Sequence, residues 1–306
     1  MVKGASVKNS PRNKKYILSM DGGGVRTIAS IIFLTKLEAK LQVPLAEKFD
    51  FFIGTSAGAI SCLGLAMNKM PAAKLIKIWS KENLTKTMTN SSWETSLGIM
   101  QINPKYTNEG KRDVLTEFFS DKKLGDSFKP VALTSYDIEK RLPVLLTSYN
   151  DPEVSVVDSG DATSAAPVYY PTAEVGDRFL IDGGIVANHP ALHGYVEAKK
   201  LYPDNELVVL SVGTGLNKRA LKGKDSKGWG LIGWMMHDLF GLMVESSMDH
   251  ELAEELIGKN YLRINSPFGR VNRRLDDSSD SNIERIISMG ESWWDEFGQK
   301  AMDLLK

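Results

Sequence analysis

Short apolar runs alternate with longer, helically spaced segments along most of the chain. Residues 15–20 form a compact apolar run, and Ile28, Ile31, Ile32, Leu34, Leu37 and Leu41 then recur at the spacing of one helix face. A second apolar run, residues 49–53, leads into a helix of small residues. Pro71 opens a further helix through Leu75, Ile78 and Trp79, and residues 111–119 read as another. Between them residues 85–106 are polar and irregular, an excursion from the core. Residues 131–137, 143–147, 179–182, 207–212 and 261–264 read as strands. Residues 161–171 read as a closely packed small-residue helix ended by two prolines. Residues 281–305 form one or two closing amphipathic helices, with Trp293 and Trp294 as packing anchors. Strands alternate with helices and no segment repeats. The pattern predicts an α/β fold: a single three-layer α/β/α domain over residues 15–306 around a mostly parallel sheet, preceded by a flexible basic tail, residues 1–14.

One segment breaks the amphipathic pattern. Residues 229–243 are apolar nearly all round, with His237 and Asp238 as polar points, and a basic loop at residues 218–227 precedes them. A core helix is one reading. The other is an acyl-chain wall or interfacial flap, since Trp and Met make an adaptable apolar surface and lysines suit anionic head groups.

Composition narrows the classes. The chain has 306 residues, 42% of them hydrophobic, which suffices for a sizeable core. Its formal net charge is zero, so no global field draws it to nucleic acid. A single cysteine, Cys62, rules out an internal disulfide and a cysteine-based metal site. The N-terminus lacks the apolar core of a signal peptide, and no uninterrupted apolar run approaches a membrane span, so a cytoplasmic protein is expected.

Chemistry gathers at three places. The run at residues 49–53 ends in Gly54-Thr55-Ser56-Ala57-Gly58, a Gly-x-Ser-x-Gly between strand and helix. This is the layout of a nucleophile elbow, where glycines make room for a sharp turn that exposes a serine. In isolation the same residues are an ordinary glycine-rich turn. The first strand runs into Asp21-Gly22-Gly23-Gly24-Val25-Arg26. Such a loop turns backbone N–H groups outward to an anion, either a bound phosphate or the oxyanion of a tetrahedral intermediate. It has neither the Gly-Lys-Ser/Thr of a P-loop nor a full dinucleotide fingerprint, and the serine downstream favours the oxyanion. The third place is Asp182, at the end of an apolar strand before Gly183 and Gly184. Alone it is an Asp-Gly turn; at the C-terminal end of a strand it stands where α/β sheets hold their sites. A serine nucleophile needs a base. Four histidines, His189, His193, His237 and His250, allow a triad on paper, and a desolvated Asp182 in direct contact is the alternative.

The ordered set of Asp-Gly-Gly-Gly-x-Arg, Gly-x-Ser-x-Gly, Ala-Thr-Ser-Ala-Ala-Pro before Asp-Gly-Gly, and Ser-Val-Gly-Thr-Gly resembles the patatin-like phospholipases over nearly the whole chain. The resemblance implies a Ser-Asp dyad without a triad histidine: Ser56 as nucleophile, Asp182 as base, the amides of Gly22, Gly23 and Gly24 as oxyanion hole, and Arg26 ordering that loop. Gly54 and Gly58 shape the elbow, and His189, where relatives often carry asparagine, is structural. Thr27 departs from the glycine usual after the arginine. The expected activity is release of fatty acids from glycerophospholipids or related acyl lipids, by phospholipase, acyltransferase or thioesterase chemistry on one site. No metal or organic cofactor and no nucleic acid are expected. The expected partners are an acyl-lipid substrate, a membrane surface bound peripherally, and a homo-oligomer or activator.

Overall fold

The computed structural model describes residues 13–90, 103–230, 233–234, 239, 241–242 and 250–306. The basic tail lies almost wholly outside these residues, as do the middle of the 85–106 excursion and most of the apolar segment at 229–243.

Eight strands make one sheet: β1 (Lys14–Met20), β2 (Phe51–Thr55), β3 (Val131–Asp137), β4 (Leu142–Thr147), β5 (Ala173–Val175), β6 (Arg178–Asp182), β7 (Glu206–Val212) and β8 (Tyr261–Ile264). Their order is β5-β6-β3-β2-β1-β7-β8, with β4 paired to β3. The β3-β2-β1-β7-β8 path is parallel; β4, β5 and β6 join antiparallel. The helices of seven or more residues among the described residues are α1 (Thr27–Leu41), α2 (Ala57–Asn68), α3 (Lys81–Thr87), α4 (Glu109–Phe119), α5 (Val156–Thr163), α6 (Ala191–Leu201), α7 (His250–Ile257) and α8 (Asp280–Leu304).

The central strands are apolar at successive positions because both faces of the sheet are covered. Neighbours along a strand point to opposite faces. Leu18 and Phe52 accordingly join a core with Phe33, Leu63 and Trp293, from α1, α2 and α8. Ile17, Phe51 and Ile53 join a second core with Ala191, Ala198 and Ala253, from α6 and α7. The closing segment is one 25-residue helix, α8. Trp293 is fully buried and donates its indole N–H to Ser266 Oγ at 2.7 Å, while Trp294 meets the Phe33 ring.

Two elements depart from the expectations. The Pro71 helix is a single turn, Ala72–Leu75, and Ser80 caps a separate helix, α3, by accepting from the Asn83 N–H. The helix expected at residues 161–171 lies earlier, as α5. Ser155 caps its start, and it ends at Thr163, ahead of Pro167 and Pro171.

The register around β3 positions the chemistry. β4 occupies one edge of β3 along residues 132–137. The other edge is shared: β2 pairs with residues 131–134 in parallel, and β6 with residues 135–137 antiparallel. The two strands therefore run toward each other, and their C-terminal ends meet where Thr55 faces Thr134 and Asp182 faces Ser135.

Candidate active site

Ser56 follows directly on β2, with φ 53° and ψ −125°, a positive-φ conformation that L-residues rarely adopt. The turn is tight enough to demand its glycines. A Cβ on Gly54 would lie 2.5 Å from Ala59 Cα, and one on Gly58 2.5 Å from the carbonyl oxygens of Met20 and Asp21. Threonine hydroxyls brace the strained residue. The Ser56 N–H donates to Thr163 Oγ1 (3.1 Å), whose hydroxyl donates to the Thr134 carbonyl (2.6 Å). Thr134 donates to Thr55 Oγ1 (2.7 Å), and Thr55 to the Ala187 carbonyl (2.6 Å).

The converging strands bring the Ser56 side chain and the Asp182 carboxylate together at the head of one cavity. Asp182 is 5% exposed and also accepts the Gly184 N–H at 2.7 Å. Burial pushes its pKa up to about 6, against the Ser56 and Gly184 bonds and the Lys111 charge, which favour the carboxylate. The group is thus a stronger base than a solvated aspartate, yet ionised at neutral pH. Any reaction in which it takes the Ser56 proton should rise with pH through an acid limb centred near 6. A pH profile of kcat/KM checks this; a flat profile between pH 5 and 7 contradicts it.

The described histidines do not line the cavity. His189 is buried, its Nε2 3.0 Å from both Ser211 Oγ and Tyr261 Oη, and burial holds its pKa well below the usual histidine value. The arrangement is a serine–aspartate pair.

The glycine loop lies beside the pair. Its backbone is anchored by Asp21, which is buried and ion-paired with Arg263, Oδ1 accepting from Nη1 at 2.8 Å. The Gly22 carbonyl accepts from Thr214 Oγ1 at 2.8 Å, and the Gly22 N–H donates to the Asn188 carbonyl at 3.2 Å. Gly22, Gly23 and Gly24 all line the cavity with Ser56, and of their amides that of Gly22 is engaged by the Asn188 carbonyl. Arg26 donates to the Arg273 carbonyl (3.0 Å) and lies over the Phe268 ring (5.0 Å). The Val25 N–H donates to the Leu275 carbonyl (3.0 Å), so the C-terminal segment holds the loop from outside. Thr27, the departure from the family pattern, begins α1 and is fully buried.

From Ser56 an apolar cavity extends under α3 and α4, walled by Ile60, Trp79, Leu84, Met88, Val114 and Leu115. The cavity is open to solvent at its mouth, where Ser56 and Asp182 lie among the lining residues. A hydrocarbon chain fits such a lining, with its polar end at the Ser56–Asp182 pair.

Lys111 belongs to the site and carries no motif. It lies on α4 with a side chain 4% exposed, its Nζ 2.8 Å from Asp161 Oδ1. One signal is present in the chain: Lys111 shares the helix face of Val114, Leu115 and Phe118, where a lysine is out of place.

Comparison with known proteins finds relatives of the chain. A family model described as patatin-like phospholipase matches residues 18–194. The cGAMP-activated phospholipase of Pseudomonas aeruginosa is 33% identical over 261 residues, covering 81% of this chain and 77% of the relative. Patatin-like protein 4 of Arabidopsis thaliana is 30% identical over 336 residues, covering 92% and 84%. Among solved structures, VipD from Legionella pneumophila shares the fold, with a TM-score of 0.55 over 97% of this chain and 67% of that one at 13% identity. Among the described residues no helix is long and apolar enough to cross a membrane.

Proposed function

Since this chain belongs to the patatin-like phospholipase family, we propose that it releases fatty acids from glycerophospholipids through a Ser56–Asp182 dyad. The observation that carries the reading is Ser56, on its strained turn, sharing the head of an apolar cavity with a buried carboxylate, Asp182. In the first half-reaction Asp182 takes the Ser56 proton as Oγ bonds to the ester carbonyl carbon. The carbonyl oxygen becomes an oxyanion, met by the Gly23 and Gly24 amides. The intermediate collapses, the C–O bond to the glycerol oxygen breaks, and Asp182 returns the proton to that oxygen. In the second half-reaction Asp182 takes a proton from water, whose oxygen attacks the acyl carbon. Collapse frees the fatty acid and returns the proton to Ser56. The apolar cavity holds the acyl chain throughout.

A second reading is a hydrolase activated by a soluble phosphate-bearing ligand. One relative is, by its name, cGAMP-activated. In this chain Lys218, Arg219 and Arg273 line a cleft together with Phe268. Arg26 reaches that wall from the oxyanion loop. A ligand there would bear on the loop through one side chain.

Fatty-acid release from mixed phospholipid vesicles in chelator, with and without cyclic dinucleotide, separates the readings. The first predicts release without additions, unaffected by chelation. Release only with the dinucleotide makes the second the better account. Silence in both, with a fluorophosphonate still labelling Ser56, removes phospholipid as the substrate and leaves the nucleophile standing.

A further inference from the structure

The geometry points to Lys111 as a positioning residue that keeps Asp182 ionised in the working enzyme. This rests on Asp182 being the base.

A lysine lining an apolar cavity is costly unless its ammonium is fully partnered. Lys111 is. Its Nζ lies 2.8 Å from Asp161 Oδ1 and 3.2 Å from the carbonyl oxygens of Asp161 and Ser164, and 4.2 Å over the Tyr170 ring. These partners hold the charge at one point. The same stretch of chain holds Asp182: the Asp182 N–H donates to the Ala165 carbonyl, the peptide next to the one that receives Lys111. The Lys111 ammonium and the Asp182 backbone are thus held by adjacent peptides, and both residues line one cavity.

The surrounding charges leave Lys111 in this role. Asp161 is shared with Arg112, whose Nη1 is 3.3 Å from Oδ2 and whose Nη2 binds Asp158. Arg112 is more than one-third exposed. Asp276, which also lines the cavity, is engaged by Tyr106, Lys105 and Arg274. Besides the Ser56 and Gly184 hydrogen bonds, the charge that acts on Asp182 is that of Lys111. Burial draws the Lys111 ammonium below the ordinary lysine range, and Asp161 and Asp182 oppose that shift. If Lys111 served only to tie α4 to α5, its loss would weaken the fold and leave the acid limb in place.

The test is the pH dependence of fluorophosphonate labelling of Ser56, which reads the dyad without requiring the natural substrate. Lys111→Met removes the charge at similar length, and Asp161 retains Arg112 and Asn108 as partners. The midpoint of the acid limb should rise by about half a unit to one unit, because a nearby cation favours a carboxylate. If Lys111→Met is poorly folded, Lys111→Met with Asp161→Asn removes the pair together, which buried ion pairs often tolerate, and the midpoint should still rise. An unmoved midpoint in the folded variant overturns the proposal. Asp182→Asn separates the two levels: if it keeps the wild-type limb, Asp182 is not the base and both ideas fall; if it loses the limb while Lys111→Met leaves it in place, the Lys111 role alone fails.

Discussion

Ser56→Ala is expected to lower fatty-acid release by about 10⁴-fold or more, and Asp182→Asn by about 10²- to 10⁴-fold, with both proteins folded. The two deletions differ in kind. Without Ser56 there is no atom to acylate. Without a carboxylate at residue 182, the hydroxyl is present but keeps its proton, so Asp182→Asn should still be labelled slowly by a fluorophosphonate, whereas Ser56→Ala should not be labelled at all.

The aspartate variant has a second expected effect, of opposite sign. Asp182 is raised to about 6 in the folded protein, from an unfolded value near 3.9. Because the folded state binds its proton more tightly, the contribution to stability is fully present below about pH 4 and is lost as pH rises through about 6. Above that the ionised, buried carboxylate destabilises the fold by about 2–3 kcal/mol relative to an unperturbed aspartate. Asparagine carries no such penalty. Asp182→Asn should therefore be the more stable protein at pH 8, with the difference fading toward pH 4, as read by denaturant melts at both pH values. A variant equally or less stable at pH 8 than at pH 4, relative to wild type, would show that the site does not strain its carboxylate. Gain of stability with loss of activity is what a functional site held against its own electrostatics should give.

Gly24→Ala is the second large effect. Gly24 has φ +55°, and a Cβ there would sit 2.2 Å from the Leu275 carbonyl oxygen. That oxygen is backbone and accepts from the Val25 N–H, so it has little freedom to retreat. The loop must instead move off Leu275, carrying the Gly23 and Gly24 amides away from the oxyanion position. Each lost donor lowers kcat by about 10²- to 10³-fold. Gly176→Ala is the matched control. Gly176 also has positive φ, +63°, but nothing lies within 4 Å of its Cβ. It should show the backbone cost, of about 1–2 kcal/mol, with kcat unchanged. Gly24→Ala with near-wild-type kcat would sink the oxyanion role of this loop.

Much of this site is legible in the amino-acid sequence alone. The elbow and the glycine loop are each contiguous along the chain, and each is a strand-to-helix turn whose shape depends on its own residues. Gly54 and Gly58 stand where the elbow backbone touches Ala59 and Met20. The central strands are legible for a similar reason: buried on both faces, they leave continuous apolar runs at residues 51–53 and 207–210, and one at residues 16–20 broken only by Ser19. The residue pattern puts α5 too late because small residues continue past its end, whereas its start is set by the Ser155 cap.

The chain by itself determined the class of fold, the strand-to-helix turn that carries Ser56 and the glycine loop beside it, since these follow from side-chain periodicity and local turn geometry. Tertiary structure decided the rest. Whether Asp182 or a histidine meets Ser56 depends on β2 and β6 converging on one edge of β3, a register that no local pattern encodes. Whether Gly22 is a free donor depends on Asn188, which is remote in sequence. Lys111 enters the site because α4 packs on α5, bringing it to Asp161 and the peptide beside Asp182. The physical reason is common to all three. Hydrogen bonds and charges act over a few ångströms, and which groups come within that range is set by strand register and helix packing between segments far apart in the chain.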